Sequence, residues 1–181
     1  MLASRSPQRR AILERLGVSF TVRPVDVAER EHGDALALVR ENALAKALAA
    51  RREGVAEVLL GCDTTVSAGG SSYGKPADAH AARATLTALS GRTHTVLSAV
   101  ALLLDGEARS AHAATEVRFR EIDERTLEWY LALGEWRERA GGYAIQGAGA
   151  ALVREVRGDY ENVVGLPLAV LLDLYPQLLR K

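Results

Sequence analysis

Lysine is scarce in this chain: three residues stand against 20 arginines. One of the three is Lys181 at the very end, so Lys46 and Lys75 are isolated ammonium groups among guanidinium groups. A compact point charge on a flexible stem suits a phosphate oxygen in ways that a planar fork does not. There is a single cysteine, Cys62, which excludes an internal disulfide. Lying in an apolar run, it reads as buried filler rather than as a nucleophile. Net charge is also missing, with Lys plus Arg and Asp plus Glu at 23 each. No general field therefore draws a nucleic-acid polymer or an anionic membrane, and phosphate binding must be local. No apolar run approaches membrane length, and the N-terminus lacks a basic-then-apolar signal, so the expected compartment is the cytoplasm. The four histidines (His32, His80, His94, His112) show no short metal spacing, which argues against zinc.

What is present is ordinary for a globular protein: 181 residues, 48% hydrophobic and 25% charged. That length suits one domain over residues 1–181 with a substantial interior. Met1–Ser4 reads as a strand, followed by a helix with Ser6 as N-cap and Pro7 at the first helical position, stopped near Leu16 by Gly17. Ser19–Pro24 reads as a short strand and residues 25–34 as a polar loop. The pattern from Asp34 to Glu53 is helical. Val55–Val66 is a strand ahead of a hairpin turn at Gly69-Gly70. Asp78 starts a helix ending at Leu89. Thr93–Leu104 and Ala108–Phe119 form a hairpin around Asp105-Gly106. Asp123 caps a helix to Leu133, Ala150–Val156 is a strand, and Leu166–Leu179 is a final helix. This order predicts an α/β fold with a mixed sheet.

Three groups of residues carry chemistry. Ser4-Arg5-Ser6-Pro7-Gln8-Arg9-Arg10 combines a strand end, two hydroxyls and a helix N-terminus, where N–H groups are unpaired and the dipole is positive. Basic side chains are unwelcome there unless an anion is near; a capped surface helix with a basic face is the plainer reading. Asp63 ends the apolar run Val58-Leu59-Leu60, where open α/β sheets bind ligands. With Glu29 and Asp26 in the polar loop, it supplies carboxylates that suit Mg²⁺ or Mn²⁺. The plainer reading is that Asp63 caps a turn or pairs with a lysine. The glycine-rich stretch Glu138–Gly149 lets backbone approach a ligand closely, and Gln146 offers a donor and an acceptor to a base edge. It lacks the Lys-Ser ending of a P-loop, and no GxGxxG follows a strand. Phosphate donors, acids and a metal together imply hydrolysis by activated water.

Taken together, these blocks resemble the Maf family of nucleoside triphosphate pyrophosphatases. The motifs are Leu2-Ala3-Ser4-Arg5-Ser6-Pro7, Gly61-Cys62-Asp63-Thr64, Gly74-Lys75-Pro76 and Ser90-Gly91-Arg92-Thr93-His94. Two more, Glu138–Gly147 and Gly158-Asp159-Tyr160 through Val164-Gly165-Leu166-Pro167, complete six blocks in order. The resemblance implies an elongated mixed sheet flanked by helices, two lobes with a cleft between them, and frequent homodimers. It also implies cleavage between the α and β phosphates to give a monophosphate and pyrophosphate. Asp63 matches the general base, Glu29 would share a divalent metal with it, and Ser4, Ser6, Arg9, Lys46 and Lys75 would hold the triphosphate. The branch acting on dTTP and UTP carries Arg, Thr and Gln at three specificity positions; the branch acting on 7-methyl-GTP carries Trp, Gln and Glu. Here those positions are Gln8, Thr64 and Gln146, so two agree with the pyrimidine branch and Gln8 with neither. Modified nucleotides are accordingly candidate substrates too. Arg139 replaces a family lysine, Glu138 lengthens the acid before it, Cys62 replaces alanine, and Ala28 stands where an acid often precedes Glu29. The alternative is a non-catalytic nucleotide-binding regulator of septum formation, to which the family is also linked. Asp63, Glu29, Lys46 and Lys75 favour the enzyme, since a pure binder needs no base.

Overall fold

In the computed structural model, which describes residues 1–30, 32–52, 58–104 and 106–180, one five-stranded sheet is flanked by six α-helices. The strands are β1 (Leu59–Ala68), β2 (Ser71–Tyr73), β3 (Thr93–Leu104), β4 (Glu107–Phe119) and β5 (Val153–Arg157), in the order β2-β1-β3-β4-β5. Every named pair is antiparallel. The parallel component of the expected mixed sheet shrinks to bridges from Leu2 to Val22 and to Leu60. The expected strands Met1–Ser4 and Ser19–Pro24 are reduced to those contacts. Leu2 is wedged between Val22 and Leu60, its N–H donating to the Thr21 carbonyl at 2.8 Å, while the Ala3 N–H donates to the Leu60 carbonyl at 2.8 Å.

The helix starts follow side-chain capping. Ser6, Asp34, Asp78 and Asp123 each accept a backbone N–H from three residues on, opening α1 (Pro7–Arg15), α2 (Ala35–Ala49), α3 (Ala79–Leu89) and α4 (Glu124–Leu133). Gly17 and Gly134 follow α1 and α4 with φ of 67° and 71°, the left-handed conformation that ends a helix. The expected helix end at Glu53, strand start at Val55 and turn residue Asp105 lie outside the described residues.

The last third of the chain departs from expectation. A one-turn helix, α5 (Tyr160–Val164), is capped by Asp159 and stopped by Gly165. The strand expected from Ala150 begins only at Val153, because residues 148–152 coil into a 3₁₀ turn. Gly149 makes that coil fit, as a Cβ there would lie 2.6 Å from the Ala144 carbonyl oxygen. The helix expected over Leu166–Leu179 splits into α6 (Leu168–Leu174) and a 3₁₀ turn (Pro176–Leu179). Pro176 has no N–H to continue α6 and biases Tyr175 towards extended backbone.

Side-chain alternation sends β1 and β3 into two apolar clusters at one end of the sheet. Leu59, Ala99, Ala101 and Leu103 pack under α2, whereas Leu60, Cys62, Val100 and Leu102 pack against α1 and α6. Val66, Val96, Val117 and Phe119 belong to a third cluster with α3 and α4. Between the clusters, the strands carry Asp63, Thr64, Thr65, Ser98 and Thr115. The core is thus divided by a polar row.

Candidate active site

Gly61 brings the first half of the site together. A Cβ there would stand 2.1 Å from the Ala43 carbonyl oxygen, so α2 lies directly on β1. Two residues further on, Asp63 points to the same face. Residues Asn42 and Lys46, four apart on α2, meet it there. Lys46 Nζ donates to Asp63 Oδ1 at 2.7 Å and to Glu29 Oε1 at 2.9 Å. Asn42 Nδ2 donates to Asp63 Oδ2 at 3.0 Å. The same amide holds the loop carrying Glu29, donating to the Arg30 carbonyl at 3.0 Å and accepting the Arg30 N–H at 2.8 Å. Lys46 and Asp63 are buried, and Glu29 is exposed.

Asn42 was not among the residues expected from sequence. Its signal was present, as a polar pair with Lys46 amid Leu38, Val39, Ala43 and Ala47, which are all buried. Asp63 does pair with a lysine, as the plainer reading had it. The pair is not isolated, since a second carboxylate and an amide converge on it.

The second half lies on the opposite face of β1. Arg9, in the first turn of α1, is buried. Its Nε donates to the Gly165 carbonyl at 2.9 Å, one terminal nitrogen to Ser4 Oγ at 3.0 Å and the other to Thr64 Oγ1 at 3.2 Å. All three acceptors are neutral, and among the described residues no carboxylate pairs with Arg9. A guanidinium has five N–H donors, so two remain. The Ser4 hydroxyl also accepts the Ser6 N–H at 3.1 Å, and the Ser6 hydroxyl donates to Gln8 Oε1 at 3.0 Å. Ser4, Ser6, Gln8, Arg9 and Thr64 therefore form one group. Gly165, whose carbonyl anchors Arg9, was expected only as part of a motif. Its carbonyl also lies 3.4 Å from Cys62 Sγ. Burial pushes the Cys62 thiol pKa up, against the lowering effect of Arg9, which keeps this sulfur protonated filler.

Asp63 and Thr64, one from each half, are adjacent on β1 where its outer edge has no strand partner among the described residues. Leu2 bridges Leu60, and pairing with β2 begins at Val66, so Asp63 and Thr64 fall between the two partners. Beyond them, the Gly141 N–H donates to the Gly74 carbonyl at 3.0 Å, and a Cβ on Gly141 would lie 2.7 Å from Val66 Cγ2. The loop carrying Lys75 and the one carrying Glu138 thus sit together beside β1. Lys75 Nζ donates to Glu138 Oε2 at 2.8 Å, both side chains being largely exposed. Lys75 holds the Glu138 carboxyl below its usual range. Glu138 has a φ of 58°, the one non-glycine residue at positive φ among those described. Gln146 is exposed on the turn after Ile145, and no hydrogen bond ties it to the other site residues.

No group of three or more His, Cys, Asp or Glu residues suitable for a metal occurs among the described residues. Two carboxylates on one ammonium are instead an oxygen-only donor pair. That fits a hard cation whose remaining ligands are water and substrate phosphate, the usual arrangement for Mg²⁺. An apolar cavity of about 540 Å³, lined by Leu13, Phe20, Leu60, Leu102 and Leu171 among others, includes none of the expected site residues. No described helix is long and apolar enough to cross a membrane.

The family model of Maf-like proteins matches residues 1–178. A dTTP/UTP pyrophosphatase of Symbiobacterium thermophilum is 44% identical over 170 residues, covering 93% of this chain and 88% of its own length. One of Gloeobacter violaceus is 43% identical over 184 residues, covering 100% and 96%. One of Pyrococcus horikoshii is 40% identical over 175 residues, covering 96% and 94%. Motif order, fold and these likenesses agree: the chain belongs to the Maf family.

Proposed function

We propose that this chain is a nucleoside triphosphate pyrophosphatase acting on dTTP, UTP or modified nucleotides, releasing the monophosphate and pyrophosphate. The carrying observation is that Asp63, Glu29 and Lys46 converge beside a buried Arg9 that lacks a carboxylate partner. A buried cation held only by neutral acceptors is a receptor for an anion. Ser4, Ser6 and Arg9 hold the phosphates from one side, with Lys46 and Lys75 supplying point charges from the other.

Asp63 takes the proton of the attacking water as its oxygen bonds to phosphorus. The bridging P–O bond at the α–β linkage breaks, and pyrophosphate carries away the electron pair. Each Asp63 oxygen has two lone pairs, of which Lys46 and Asn42 use one apiece. One remains on each oxygen, one to take the water's proton and one open to a cation, and the two donors fix the carboxylate's orientation. Asp63 and Glu29 would hold a divalent cation, Mg²⁺ or Mn²⁺, which when bound neutralises charge on the phosphates. Lys46, Lys75 and Arg9 oppose charge developing on the leaving pyrophosphate. Thr64, Gln8 and Gln146 meet the base in this reading, over the polar row between the cores. It also carries a cytoplasmic enzyme that forms homodimers, which sedimentation of the purified chain tests.

The test is pyrophosphate release from a panel of triphosphates with Mg²⁺ or Mn²⁺. Wild type releases it, a chelator abolishes release, and Asp63→Asn lowers kcat by at least about 100-fold, the usual contribution of a general base. A wild-type chain that binds a nucleotide yet releases nothing from any of them would establish the regulator instead.

A further inference from the structure

Ser98 lies in β3 next to Ala99, Val100, Ala101 and Leu102, in a stretch sealed from water, and is itself 0% exposed. A hydroxyl there costs desolvation unless it is bonded, and an alanine would pack in its place. Ser98 stands directly across from Thr64 in the β1–β3 register, and the two hydroxyl oxygens are 2.9 Å apart. On its other side Ser98 reaches the Asn162 carbonyl at 3.4 Å. Asn162 is fixed in turn, its Nδ2 donating to the Val96 carbonyl and to Thr115 Oγ1, each at 3.0 Å.

Proton accounting gives this chain a direction. Thr64 Oγ1 accepts from Arg9 at 3.2 Å, so it has one proton and one further lone pair to place. Two internal arrangements use the proton. In one, Thr64 donates to Ser98, which donates to the Asn162 carbonyl. In the other, Ser98 donates to Thr64, which donates to the Gly165 carbonyl at 3.4 Å. The second fills both Thr64 lone pairs, with Arg9 and Ser98, and leaves nothing for a ligand; the first leaves one lone pair open and no proton. With these internal bonds kept, Thr64 meets a substrate only when Ser98 takes its proton, and then only as an acceptor.

We propose that Ser98 is a positioning residue that holds Thr64 as an acceptor towards the substrate and thereby selects a base presenting an N–H over one presenting a lone pair. Uracil and thymine carry a proton on N3, whereas cytosine carries a lone pair there. The inference rests on Thr64 touching the base, and the test separates the two claims. The ratio of kcat/KM for UTP to that for CTP is measured in wild type, Ser98→Ala, Thr64→Val and the double variant, with melting temperatures alongside. Wild type prefers UTP. Ser98→Ala lowers the ratio about tenfold, the equivalent of one good hydrogen bond, with little change in melting temperature. In the Thr64→Val background the same change moves the ratio less than about twofold, because Ser98 acts through that hydroxyl. A wild-type ratio near one, or a Thr64→Val ratio equal to wild type, overturns the reading of Thr64 and this inference with it. A ratio that Thr64→Val alters but Ser98→Ala leaves unchanged, or that Ser98→Ala lowers equally in both backgrounds, overturns the role of Ser98 alone.

Discussion

At the scale of single residues, the two internal lysines differ. Lys46 is buried between Asp63 and Glu29, so removing its charge would strand a buried carboxylate. Lys75 is exposed and paired with an equally exposed Glu138. Such a pair contributes little to stability. Lys75→Arg should therefore leave the melting temperature within about 1 °C while lowering kcat/KM at least about tenfold, since the proposed role of Lys75 is as a compact point charge on the triphosphate, which a planar guanidinium does not reproduce. Calorimetry beside pyrophosphate-release kinetics checks this, and equal losses of stability and activity would count against it. Asp63 was legible as an acid ending an apolar run, Lys46 because lysine is scarce, and Arg9 because a cation is out of place at a helix N-terminus. Asn42 was not, because an amide on a helix reads as surface until its neighbours on the same face prove to be buried. Nor was the exposed pairing of Lys75, which depends on a residue 63 positions away.

At the scale of elements, the contact of α2 with β1 governs the acidic half. Gly61 permits an approach that no other side chain allows, with Ala47 N also 2.7 Å from the Cβ position. Gly61→Ala must push α2 outward, separating Lys46 and Asn42 from Asp63. Overpacking of this kind costs about 1–3 kcal/mol. Urea unfolding should show that loss together with a fall in kcat of about tenfold or more, whereas a variant with native stability and activity would mean that α2 does not set the carboxylate. Helix starts were readable from Ser6, Asp34, Asp78 and Asp123, because capping is a local interaction within three residues. The expected strands Met1–Ser4 and Ser19–Pro24, the start of β5 and the extent of the last helix were misjudged. Their extents depend on what pairs with them or packs behind them.

At the scale of the whole molecule, the core is split by the polar row, and the larger cluster buries an ionisable group. His94 is 1% exposed, packed edge-on against Phe119 and Tyr143, with Nε2 bonded to the Tyr143 hydroxyl at 2.9 Å and Nδ1 unpartnered. Burial lowers its pKa from 6.5 to about 4. Between those values the unfolded chain takes up a proton that the folded one refuses, so stability falls as pH drops through that window and is fully present above it. The loss approaches about 3 kcal/mol by pH 4. Urea unfolding at pH 7.5 and pH 4.5 should show it in wild type, with a smaller drop in His94→Gln; equal drops would assign the acid sensitivity to other groups. Because Tyr143 follows Gly142 in the glycine-rich loop, this pair also ties that loop to the sheet.

The sequence alone determined the family, the α/β class, the capped helix starts and which charged residues are candidates for the site. Those follow from local preferences and from residue types whose chemistry is the same in any surroundings. Only the tertiary structure decided which of them share an environment. It set Lys46 on Asp63 and Glu29, closed Arg9 onto neutral oxygens, and turned Ser98 from a strand residue into the neighbour of Thr64. Those relations come from packing and register across long separations, where one residue's side-chain direction depends on elements that the local chain does not encode.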